Sequence, residues 1–204
     1  MFGGSQIVSF KEFEYFSTLE TIGTNAFYNC NKLVTIYLPD SVRTISQRAF
    51  KNASSLSDIR LNEGLTTIGG TEVFQYCSSL KELDFPSTIR SIGTSCFQGT
   101  AIEVFEIPEG FETSGSYVFF ATQGTKTIIL PSTVTSLGNN TFRSSYATTI
   151  IVKAVQPPSL GSDSWLYTRV ASIYVPNESI GAYQSAAVWS QKSSLFKPLS
   201  SYQE

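Results

Sequence analysis

Residues 19–41 read LETIGTNAFYNCNKLVTIYLPDS, and the chain then says nearly the same thing again. Residues 42–64, VRTISQRAFKNASSLSDIRLNEG, and 65–88, LTTIGGTEVFQYCSSLKELDFPST, follow directly. Residues 89–110, IRSIGTSCFQGTAIEVFEIPEG, and 111–133, FETSGSYVFFATQGTKTIILPST, come next, with a looser copy from Val134. The copies start at 19, 42, 65, 89, 111 and 134, so the starts lie 23, 23, 24, 22 and 23 residues apart. A large aromatic returns in each copy, at Phe27, Phe50, Phe74, Phe97, Phe119 and Phe142. A fixed period of roughly 20–50 residues is the mark of a solenoid, because one such unit cannot bury its apolar face alone and must stack on its neighbours.

Each copy divides in three. Leu19 and Ile22 with Gly23 form a short apolar segment and a turn, echoed at Val42/Ile45, Leu65/Ile68/Gly69 and Ile89/Ile92/Gly93. A polar stretch carrying the Phe follows, long enough for one or two helical turns or a tight loop. A strand with period-2 alternation comes last, its inward residues Ile36/Leu38, Ile59/Leu61, Leu83/Phe85, Phe105/Ile107 and Ile128/Leu130. Pro39, Pro86, Pro108 or Pro131 closes it, since proline cannot donate to a ladder. Stacking makes these strands a parallel sheet and the Phe residues a ladder behind it. Copies five and six depart from the pattern, with Ser114 for the Ile, Thr125 for the Leu and a shifted sixth strand.

Residues 1–18 lie outside the period, but Ile7, Phe10, Phe13 and Phe16 keep an apolar spacing of three and read as a lead-in that covers the first turn. Residues 19–155 hold the repeats, and 156–204 read as a C-terminal capping module. That module opens with Pro157 and Pro158, returns to a strand at SIYVP, and ends in NESIGAYQSAAVWSQ. The last stretch predicts one helix, capped by Asn177 or Ser179, with Ile180, Tyr183, Ala187 and Trp189 largely on one side. Phe196, Pro198 and Leu199 are expected to tuck back.

The form L-x-x-I-G-x-x-A-F-x-x-C-x-x-L-x-x-I-x-L-P, which residues 19–39 fit almost throughout, resembles the BspA-like (Treponema pallidum type) leucine-rich repeat of surface proteins in Bacteroides and its relatives. The likeness covers about residues 19–176. It implies a right-handed leucine-rich-repeat solenoid of short parallel strands with a C-terminal closing module. It also implies a secreted or cell-surface protein concerned with adhesion or host contact.

Composition narrows the chemistry. Charged residues are 15% of the chain and the formal charge is −2, so nothing attracts nucleic acid or an anionic membrane. No run of about 18 apolar residues would span a bilayer. The N-terminal MFGGSQIVSF lacks the basic-then-apolar form of a signal peptide, so a surface location would imply a leader removed from this chain. With no histidine, Ser-His and Cys-His nucleophiles and His-ligated metals are excluded, and no phosphate loop precedes a helix. Cys30 and Cys77 share a repeat position two turns apart, roughly 10 Å at ~4.7–4.9 Å per turn, beyond disulfide reach. With Cys96 they read as small buried hydrophobes, with no metal or cofactor.

What remains is the outward face of the strands. Adjacent turns bring Asp58, Glu82, Asp84 and Glu106 together with Arg60 beside them, and Tyr37 and Tyr174 flank the row at its two ends. Carboxylate pairs at ~5–10 Å serve glycosidases, but such a pair needs a cleft and a raised pKa, which a repeat face does not supply. The seven residues are therefore read as a binding face for a protein or glycan, possible partners including host extracellular-matrix proteins, in a monomeric, non-enzymatic module. Two other readings stay open: a structural spacer, and an accessory domain of a larger surface enzyme. Tyr28, Tyr76 and Tyr146, near the outer loops, are expected to be semi-buried. If the Phe ladder is core, Phe74→Ala should cost about 3–5 kcal/mol in urea unfolding, and a loss under ~1 kcal/mol would put the ring on the wrong face.

Overall fold

The computed structural model describes residues 2–203 and shows a solenoid whose turns run through a front wall of strands, a back sheet and a wall of tight turns. The front sheet carries the strands anticipated from alternation: Ser9–Phe10, Thr35–Tyr37 and Asp58–Arg60, then Val104–Glu106, Thr127–Leu130, Thr149–Val152, Ser172–Val175 and Phe196–Pro198. The sixth strand, Thr149–Val152, pairs residue for residue with Thr127–Leu130, so its shift in sequence leaves the register intact.

The short apolar segments before each glycine are strands as well. Thr21–Ile22, Thr44–Ile45, Thr67–Ile68, Ser91–Ile92, Thr113–Ser114, Ser136–Leu137 and Ser159–Leu160 form a seven-stranded parallel back sheet. Each sets one β-branched or hydroxyl residue outward and one apolar residue inward, which suits so short a ladder. Ser114 is the exception: the residue is half-buried, and its buried Oγ has no hydrogen-bond partner among the described residues. Thr125, the other departure in that copy, is buried but satisfied, donating to the Ile102 carbonyl at 2.7 Å.

The polar stretch around each Phe is two consecutive tight turns, not a helix. In the first full copy the Ala26, Tyr28 and Cys30 amides bond three residues back, while Asn25, Phe27 and Asn29 donate to Gln47, Ala49 and Lys51 in the next turn. Half of these amides thus tie the turn to itself and half tie it to its neighbour. The geometry needs a left-handed residue two before and two after the aromatic: Asn25 and Asn29, Arg48 and Asn52, Glu72 and Tyr76, Asn140 and Ser144. Asn and Gly tolerate it best.

Between the three walls the rings stack. Phe2–Phe27, Phe27–Phe50, Phe50–Phe74 and Phe74–Phe97 have centroids 5.3, 5.1, 5.4 and 5.9 Å apart and planes within 8°. The column is spliced at the copy that is one residue short, where Phe105 lies 5.2 Å from Phe97 and 4.8 Å from Phe119. It resumes through Phe142 to Trp165. Cys30, Cys77 and Cys96 are free and buried beside it, and burial pushes the Cys77 and Cys96 thiols well above their ordinary range.

Residues 156–176 therefore make another turn of the same course, with Trp165 in the ladder. The tail then closes the stack, but not as one helix. The α-helix covers only Ile180–Ser185, Val188 is left-handed at φ 67°, and a 3₁₀ segment, Trp189–Leu195, follows. Tyr183 and Trp189 are both fully buried and meet edge to face at 5.3 Å. Six residues on a straight helix are about 600° of rotation, which would point the two rings apart, so the chain has to break between them. Asn177 and Ser179 make no side-chain cap: Asn177 donates to Ser200 instead. Both buried rings are anchored, Tyr183 Oη to the Ala154 carbonyl and Trp189 Nε1 to that of Pro158, each at 2.8 Å.

After the back strands from Ser91–Ile92 onward the chain lies directly on the turn before it. A Cβ on Gly138 would sit 2.5 Å from backbone atoms of Gly115 and Ser116, whereas one on Gly23, at the open end, would meet nothing within 4 Å. Gly138→Ala is accordingly expected to cost about 1–3 kcal/mol. Gly23→Ala should stay within about 0.5 kcal/mol. Equal urea midpoints for the two variants would contradict this packing.

Candidate functional site

Between Asp58–Arg60 and Val104–Glu106 the front sheet is interrupted, because residues 81–85 form no strand. Alternation predicts a strand there and the chain forms none; like charges and a change of copy length both fall at this place. The register that pairs Thr35 with Asp58 and Tyr37 with Arg60 would next set Asp58 against Glu82, with Arg60 against Asp84 beside it, and, one strand on, Asp84 against Glu106. Like charges directly opposite each other destabilise a strand pair. The interruption also falls where copy lengths change, the turn with the extra residue at Gly69/Gly70 being followed by the short one. Contact persists through the Ala101 and Glu103 amides, which donate to the Leu80 and Lys81 carbonyls at 3.1 and 3.0 Å.

The gap is a groove of about 580 Å³. Leu83, Phe85 and Pro108 form its floor, and Glu82, Asp84 and Glu106 stand exposed around it. Glu103, which sequence reasoning passed over, also lines it. Its carboxylate takes a 2.6 Å hydrogen bond from Lys126, which holds it below the ordinary carboxylate range. Among the described residues Glu82, Asp84 and Glu106 enter no ion pair, and although Lys81 also lines the groove, carboxylates outnumber it there over an apolar base.

The other four predicted residues lie elsewhere. Tyr37, Asp58 and Arg60 form one cluster: the Tyr37 hydroxyl donates to Asp58 at 3.2 Å, and the Arg60 guanidinium lies 4.2 Å from the ring centroid. The lead-in segment reaches over this cluster, with Lys11 5.4 Å from the same ring and Glu14 3.8 Å from Arg60. Tyr174 sits three strands beyond Val104–Glu106, ~14 Å away, where Tyr202 packs against it edge to face and Lys197 approaches its ring at 5.7 Å. The seven residues thus separate into three groups, and only Glu82, Asp84 and Glu106 share a concavity. Tyr76 and Tyr146, expected to be semi-buried, are exposed. No group of metal-binding side chains occurs among the described residues, and none of their helices is long and apolar enough to cross a membrane.

On the turn wall Glu72 accepts hydrogen bonds from Arg48 Nε and, at 3.0 Å, from Lys51 Nζ. The Arg48 bond chiefly lowers its pKa, with Lys51 adding to the effect.

The model of the BspA type leucine rich repeat region matches residues 5–123 and 70–193, in six copies, and the chain belongs to this family. A leucine-rich repeat protein of T. pallidum is similar in structure, at 24% identity and a TM-score of 0.50 over 61% of this chain and 69% of that one. A leucine-rich repeat protein of Bacteroides ovatus is 22% identical, with a TM-score of 0.44 over 77% of this chain and 59% of that one. A leucine rich cell surface protein of Faecalibacterium prausnitzii is 19% identical, with a TM-score of 0.46 over 81% and 63%. This chain therefore spans less than two thirds of either of the last two. No curated protein matches it.

Because the folded-state pKa of Glu72 is depressed, its contribution to stability is present above the ordinary carboxylate range and is lost as pH falls through the folded value. Glu72→Gln should therefore lower stability by about 0.2–1 kcal/mol at neutral pH, with the difference closing in acid. Urea melts of both proteins across pH would show it, and a gap independent of pH would count against the ion pair.

Proposed function

We propose that this chain is a non-enzymatic protein-binding module of a secreted or cell-surface protein, and that its acidic front groove holds a basic, partly apolar segment of a partner protein. One observation carries the reading: the front sheet opens at the place where its carboxylates converge. A Lys or Arg head inserted there would meet Glu82, Asp84 and Glu106, while its methylene stem lay on Leu83, Phe85 and Pro108. The carboxylates are solvated, so they favour encounter and selectivity more than raw affinity. For a secreted or cell-surface module, host matrix proteins are the first class to try.

The test is binding of the whole chain to immobilised purified extracellular-matrix proteins at low and high salt. A triple variant, Glu82→Gln with Asp84→Asn and Glu106→Gln, is measured alongside. Binding should weaken with salt and fall on the order of tenfold or more in the variant. Binding that ignores both salt and the substitutions, or no binding to any matrix protein, would count against the reading.

A further inference from the structure

The turn wall bears a second concavity of about 640 Å³, lined by side chains of Asn29, Asn52, Tyr76, Gln98 and Gln123 together with serines. None of its lining residues is acidic or basic. Its amides are ordered by one another: Asn52 Nδ2 donates to Asn29 Oδ1 at 2.8 Å, and Gln98 Nε2 donates to the Tyr76 hydroxyl at 3.3 Å. Those bonds leave the Asn29 NH₂ group and the Asn52 carbonyl oxygen uncommitted, so the groove offers donors and acceptors side by side.

Tyr76 is the unusual member. It is left-handed at φ 61°, in the column where the turns on either side carry Asn52 and Gly99. A bulky residue is an outlier at that angle. Tyr76 does not offset the cost by burial, since it is 46% exposed. The neighbouring turn makes room for its ring: a Cβ on Gly99 would lie 2.6 and 3.0 Å from two Tyr76 ring carbons, so the ring rests on bare backbone. Tyr37, Tyr146, Tyr167 and Tyr174 have a cation over the ring, whereas Tyr76, like Tyr15, Tyr28, Tyr117 and Tyr202, has none among the described residues, so its face is free. Tyr117 and Tyr167 share the left-handed angle, so the observation that points to a ligand is the exposed ring supported on Gly99 beside neutral amides.

We propose that this groove is a binding site for an uncharged glycan, distinct from the front groove, with a sugar ring stacked on Tyr76 and its hydroxyls bonded to Asn29, Asn52 and Gln98. A pyranose has an apolar C–H face for the ring and hydroxyls that both donate and accept, which matches amides better than it matches ions. Successive turns ~4.7–4.9 Å apart set the amides at about one sugar ring's spacing, so the groove suits a short run of linked sugars. A charged polymer would find no counter-charge there.

The experiment titrates the whole chain with cellohexaose, laminarihexaose and mannohexaose, with a heparin hexasaccharide as the acidic control. Tyr76→Asn is the diagnostic variant, because Asn suits φ 61° and should raise the melting temperature while removing the platform. The expected result is binding of at least one neutral hexasaccharide, weakened on the order of tenfold or more in Tyr76→Asn and unchanged in the front-groove triple variant. The proposal is overturned if none of the neutral sugars binds, if Tyr76→Asn binds undiminished, or if the front-groove variant abolishes sugar binding. Failure to bind matrix proteins leaves each of these outcomes as it stands.

Discussion

Everything in this molecule answers to the ~4.7–4.9 Å at which one backbone turn can hydrogen-bond the next. Because both sheets and the turn wall share that spacing, whatever stands at a position in one turn meets its counterpart in the next. Rings so placed stack, as Phe27 does on Phe50 at 5.1 Å. A turn that touches the backbone before it, as at Gly138, has no room for a side chain. Carboxylates so placed repel, and the front sheet gives way where Asp58, Glu82, Asp84 and Glu106 would have fallen into register. The same spacing that builds the core would crowd like charges at one place on the surface.

Much of the fold was legible because repetition multiplies weak signals. One phenylalanine says little, but six at a near-constant interval locate a core, and alternation with a closing proline locates the front strands. Strands such as Thr21–Ile22 are too short to show alternation and become visible only through pairing with six others. The ladder's continuation through Trp165 was hidden by a change of aromatic and by Pro157 and Pro158 just before it. The tail helix was overdrawn because Tyr183 and Trp189, six residues apart, would fall on different sides of a straight helix, yet both enter the core and meet there.

The candidate sites were less legible, for a different reason. Sequence fixes which residues point outward, and all seven singled out lie on the front face. It does not say which outward residues find partners beyond the repeat. Glu14 and Lys11 come from the lead-in, and Lys197 and Tyr202 from the tail. These non-repeating ends tie up Tyr37, Arg60 and Tyr174 and leave the middle of the face free. Tyr76 carried a signal that could have been read: an aromatic in a column that Asn29, Asn52 and Gly99 mark as left-handed.

The parallel ladders also determine how the molecule bears load. Their hydrogen bonds run along the stack, so a pull on its two ends strains the terminal turn first and peels it away before the next is stressed. Each turn given up replaces ~4.8 Å of stack with roughly 80 Å of extended chain. Aromatic rings interlock at both ends, Phe2, Phe10, Phe13 and Phe16 about Phe27 at one and Trp165 and Tyr183 about Trp189 at the other. Under tension the solenoid is a tether that pays out one turn at a time from its ends, and because the turn-wall groove begins at Asn29 in the first full copy, loss of N-terminal turns would dismantle that groove before the front one.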